Sequence, residues 1–121
     1  MKLIKELLFL GLIMICLDYF YLNATKHLFN SVVKNIQGSN IKLKYNGAFL
    51  AYILMVFTIY YFIIQKKGSY IDSFILGFCI YGVFELTNYT IFNKWTPELV
   101  ILELLWGGIL FSTTHYLFNF F

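Results

Sequence analysis

Four apolar runs separated by short polar stretches fill this chain of 121 residues: 7–22, 47–64, 71–92 and 99–118. Runs of about 20 apolar residues are what an α-helix needs to cross a bilayer, and the first run is at the short end of that range. Only 12% of the residues are charged, about half the share of an average soluble domain. A soluble protein with 60% hydrophobic residues could not cover its own surface with polar groups. The pattern predicts a multi-pass membrane protein, all-α, forming one domain over 1–121.

The punctuation between the runs sets the element boundaries. Gln37-Gly38-Ser39-Asn40 and Gln65-Lys66-Lys67-Gly68-Ser69 are turn signals. Thr96 is a good N-cap, with Pro97 at the first helical position. Asp72 suits the first turn of its helix, where a carboxylate meets the positive end of the dipole. Transmembrane helices are therefore expected near 6–23, 46–64, 71–92 and 97–118. Between the first two, Leu28, Phe29, Val32, Val33 and Ile36 recur at helical spacing, and Lys26, Asn30, Lys34 and Gln37 fall mostly opposite. That predicts a short amphipathic helix near 24–37, lying along the interface or packed on the bundle. Lys2 and Lys5 followed by an apolar run resemble a signal peptide, but no small-x-small cleavage site follows, so the run reads as an uncleaved first membrane helix.

Four spans place both termini on one side, here side A, with Lys66 and Lys67. Side B carries Lys26, Lys34, Lys42, Lys44 and Lys94. The nine lysines are scattered and arginine is absent, so no basic stripe suits nucleic acid. Lysines beside anionic headgroups are the simpler reading. Cys16 and Cys79 lie in apolar runs and read as free thiols.

Carboxylates interrupt three of the apolar runs. Asp18 lies about 7–8 Å below the side-B end of the first span, Glu85 about 10 Å below that of the third, and Glu103 about 9 Å below that of the fourth. Three acids on three helices thus share one depth. Intramembrane ionisable residues are costly and commonly mark ion or proton paths. Asn88 and Tyr81 share the face of Glu85, Trp106 shares that of Glu103, and Tyr21 lies one turn from Asp18. Tyr52 of the second span sits at similar depth. Three anions cannot all stay charged in a low-dielectric layer, so a proton or a cation must compensate them. His27, Lys94, Lys44 and Lys42 are the protein's own cations on the right side; a metal ion or an amine-bearing lipid headgroup would also serve. His115, near side A, reads as interfacial, and Tyr21 and Trp95 can be read as plain interfacial aromatics. The competing reading of the layer is an interhelical hydrogen-bond clamp that only specifies packing.

Phe84-Glu85-Leu86-Thr87-Asn88, Trp95-Thr96-Pro97, Glu103-Leu104-Leu105-Trp106-Gly107 and Asp18-Tyr19-Phe20-Tyr21-Leu22 together resemble a family of small predicted membrane proteins, domain of unknown function 2177. That family's pattern has an aromatic-Asp-Leu-Thr-Asn run, Trp-Pro, Asp-x-x-Trp-Gly and Asp-x-x-Trp-Leu. Glu replaces Asp twice here, Tyr replaces Trp once, and one residue separates Trp95 from Pro97. The resemblance implies a four-helix membrane fold and supplies no activity.

The expected function is the binding or transport of a cation, proton or small ligand at Asp18, Glu85, Asn88, Glu103, Trp106, Tyr81 and His27. One alternative is a membrane-embedded enzyme acting on a lipid or isoprenoid; it lacks a His-box and a Gly-x-Ser-x-Gly motif, which leans the reading away from an enzyme. The other is a structural or accessory subunit, whose partner, a second copy included, would cover the aromatic outer surface.

Overall fold

The computed structural model describes residues 1–121 as four helices: α1 Lys2–Gln37, α2 Tyr45–Ile59, α3 Tyr70–Ile91 and α4 Pro97–Phe120. A π-helical turn, Tyr60–Ile64, prolongs α2. Three helices are long and apolar enough to cross a membrane: Tyr45–Ile64, Tyr70–Ile91 and Pro97–Phe120. The apolar first half of α1 lies beside them. The protein is an all-helical, multi-pass membrane protein.

The ends form where the side chains dictate. Ser69 Oγ accepts from the Asp72 amide at 3.1 Å while Asp72 Oδ2 accepts from the Ser69 amide at 2.9 Å, a reciprocal capping box that opens α3. Thr96 Oγ1 accepts from the Leu99 amide at 3.3 Å with Pro97 behind it, opening α4. Gly38 closes α1 at φ 78°, its amide reaching Lys34 O at 2.9 Å; this left-handed cap favours glycine. The helix expected over 24–37 is present, and it continues the first span without a break. Val32 is buried, Leu28, Val33 and Ile36 are half-buried, and Lys34 is exposed, as its amphipathic spacing requires.

Two apolar cores form. Leu10 and Met14 of α1 meet Val56, Ile59 and Ile63 of α2 and Leu110 and Phe111 of α4. Near side B, Val32 meets Trp95, Leu99 and Val100. Only 22 of 121 residues are buried, so most apolar side chains, such as Phe49, Leu50, Leu54 and Phe57 of α2, face outward. In lipid such a surface is solvated, and helix association depends on close packing and polar contacts instead.

The closest packing joins α3 and α4. A Cβ at Gly77 would sit 2.0 Å from Gly107 O, and one at Gly107 would sit 2.5 Å from Gly77 O. The two backbones touch because neither residue has a side chain. Gly108 is as tight against the Phe74 ring, 2.6 Å from a notional Cβ. Gly82 meets only the Leu104 side chain, at 3.4 Å. Chain reversal brings the termini together on side A, where Phe9 packs on Phe118 with ring centroids 5.9 Å apart.

Candidate functional site: a buried acid layer

The three intramembrane acids all point into the bundle. Asp18 is 7% exposed, Glu85 1% and Glu103 6%. Their burial accords with the shared depth read from helical rise.

Each acid is met by aromatic donors. Trp106 Nε1 donates to Asp18 Oδ1 at 2.9 Å, and the Tyr52 hydroxyl donates to Asp18 Oδ2. The Tyr21 hydroxyl donates to Glu103 Oε2 at 3.2 Å. Trp95 Nε1 donates to Glu85 Oε1 at 2.9 Å. Asp18 and Tyr21 are one turn apart on α1, Glu103 and Trp106 one turn apart on α4. Because the two helices run antiparallel, the acid of each meets the aromatic of the other. The Tyr21 and Trp106 rings stack between these bonds.

The layer is unequal in its satisfaction. Both oxygens of Asp18 are occupied. Glu85 and Glu103 each keep one oxygen without a protein donor. Thr114 Oγ1 is the only fully buried side-chain polar atom that lacks a partner. Every donor in the layer is neutral. The one ion pair in the protein, Lys2 with Glu6 at 4.0 Å, lies at side A.

The other expected residues divide. Tyr81 is half-buried, and its hydroxyl makes no hydrogen bond to an acid. Asn88 is half-buried, and its side chain makes no hydrogen bond to an acid. His27 is exposed on α1, away from the layer. Lys42, Lys44 and Lys94 are exposed as well, and none pairs with an acid. No group of three His, Cys, Asp or Glu side chains is arranged to hold a metal ion.

Three donors do more than their sequence positions indicate. Tyr52, at the depth its span predicts, is the second donor to Asp18. Tyr21, one turn from Asp18 on the same helix, donates across to Glu103, and Trp95, open to an interfacial reading, is only 8% exposed. Its place in the Trp95-Thr96-Pro97 motif was the available signal. His115 also departs from expectation: it is near side A but buried, at 4% exposed. Its Nδ1 shares a hydrogen bond with Ser73 Oγ at 2.6 Å, and Tyr70 packs on the ring at 4.6 Å between centroids. A polar residue facing another helix escapes the lipid that an interfacial histidine would meet.

The sequence model of the family described as "Predicted membrane protein (DUF2177)" matches residues 3–118. No curated protein and no solved structure matches the chain.

Proposed function

The chain belongs to the DUF2177 family of predicted membrane proteins, and from that premise we propose that its acid layer is a proton-binding site serving proton uptake or transfer in the membrane. One observation carries this reading: three buried carboxyls are met by neutral donors alone. A buried carboxylate without a cation has to be compensated by a proton or by a bound positive ligand. The protein offers no lysine or histidine to the layer, and no three-ligand metal set. Glu85 and Glu103 are the proton carriers, since each has a free oxygen. Asp18, with both oxygens occupied by Tyr52 and Trp106, positions the aromatic donors.

The second reading is a packing clamp, favoured by the reciprocal bonds between α1 and α4. The two readings part on the amide variants. Glutamine still accepts from Tyr21 or Trp95 but cannot exchange a proton. In proteoliposomes, Glu85→Gln and Glu103→Gln are expected to lose proton exchange while retaining helicity and thermal stability. Full exchange in both variants would leave the clamp.

A further inference from the structure

A second site lies outside the acid layer, in a groove between α1 and the segment that leads from α1 to α2. Its volume is about 620 Å³, within the usual range of ligand pockets. Tyr19, Leu22 and Phe29 form the helix wall, and Ile41 and Leu43 the facing wall.

The groove is held in shape by side chains. Asn30 Nδ2 donates to Asn40 Oδ1 at 3.2 Å, and Asn30 Oδ1 accepts from the Ile41 amide at 3.0 Å. Gln37 Nε2 donates to the Ser39 and Asn40 carbonyls at 3.1 and 2.9 Å. These bonds strap the connecting segment over the helix. Along α1 the groove runs from Tyr19 to Asn30, about 16 Å at 1.5 Å per residue.

One cation lines it. Lys26 is in the groove and has no anionic partner, since the only ion pair is at the other end of the molecule. Side B also carries Lys34, Lys42, Lys44 and Lys94, against a single acid, Glu98. An open groove with apolar walls, lined also by an unpaired ammonium and three asparagines, is complementary to an anionic amphiphile.

We propose that this groove binds an anionic phospholipid of the surrounding leaflet. The phosphate meets Lys26 Nζ and the free amide hydrogens of Asn40, and an acyl chain follows Tyr19 and Leu22. Phe29, Ile41 and Leu43 enclose the upper part of the lipid.

The test is native mass spectrometry of the whole protein released from micelles holding equal amounts of phosphatidylglycerol and phosphatidylcholine. The wild-type protein is expected to retain phosphatidylglycerol preferentially. Lys26→Gln should lower that retention about fivefold, the effect of one lysine near an anionic headgroup. Lys34→Gln, the same charge change on an exposed position outside the groove, should lower it much less. Asn30→Ala, which releases the strap, should lower it with no change in charge. Equal retention of the two lipids by wild-type protein, or a Lys26→Gln loss no larger than that of Lys34→Gln, overturns the proposal.

Discussion

Tyr21 and Trp106 stack with ring centroids 4.3 Å apart and planes within 1°, and each donates to the acid carried one turn away on the other's helix. Tyr21 serves Glu103 of α4, and Trp106 serves Asp18 of α1. The stack thus fixes two hydrogen bonds at once, and those bonds fix α1 against α4 at the depth of the acids.

The pair should therefore be energetically coupled. Tyr21→Phe keeps the ring and removes one hydrogen bond to a carboxyl group, an expected loss of about 1–3 kcal/mol. Trp106→Phe removes the other bond and reduces the stacked area. In a second cycle, Tyr21→Leu with Trp106→Leu, which removes both rings, the double variant should lose less than the sum of the singles by about 0.5–1.5 kcal/mol, the usual size of an aromatic pair interaction. Unfolding of the detergent-solubilised protein in a double-mutant cycle measures this. Strict additivity would show that the stack is incidental.

Glycine substitutions should separate sharply by position. Gly77→Ala and Gly107→Ala drive a methyl into opposing backbone, which cannot move aside as a side chain can. Losses at or above about 1–3 kcal/mol, the ordinary range for overpacking, are expected. Gly82→Ala meets only the flexible Leu104 side chain and should be neutral or slightly stabilising. Thermal unfolding of the three variants in one detergent makes the comparison.

Thr114 offers a stabilising change. Its hydroxyl is fully buried without a partner, a group whose burial costs about 1–3 kcal/mol when unsatisfied. Thr114→Val keeps the shape and removes that group, so it should raise stability. By contrast Ser73→Ala, which deprives His115 of its partner, should lower stability by about 1 kcal/mol or more. Denaturation midpoints of the two variants should move in opposite directions.

Much of the fold was legible because its signals are local. Ser69 with Asp72, Thr96 with Pro97, and Gly38 each mark a helix end through atoms within a few residues. The drop in hydropathy after Leu22 suggests the start of a separate element, whereas α1 runs unbroken from Lys2 to Gln37. The backbone needs no break there, since neither glycine nor proline lies between Leu22 and Gln37. In the site, the depth of Asp18, Glu85 and Glu103 followed from helical rise alone. Trp106, Tyr21 and Tyr52 followed at the same level, but not which acid each one meets. Whether Trp95 faces lipid or Glu85, and whether His115 faces a headgroup or Ser73, depends on helix rotation, which side chains on another helix decide. The glycines show the same limit: Gly82, Gly107 and Gly108 all suit close helix approach, but only the opposition of Gly77 and Gly107 across α3 and α4 brings backbone onto backbone, while Gly82 meets a side chain.

The most direct measurement is proton exchange by the protein in vesicles with a trapped pH indicator, comparing wild type with the Glu85→Gln/Glu103→Gln double variant. If the acid layer carries protons, the wild-type vesicles should equilibrate a pH step faster than protein-free vesicles. The double variant should fall back to the protein-free rate, with helicity and thermal stability preserved. A double variant that matches the wild-type rate, or a wild type no faster than empty vesicles, would contradict the proton-binding role of these two carboxyls.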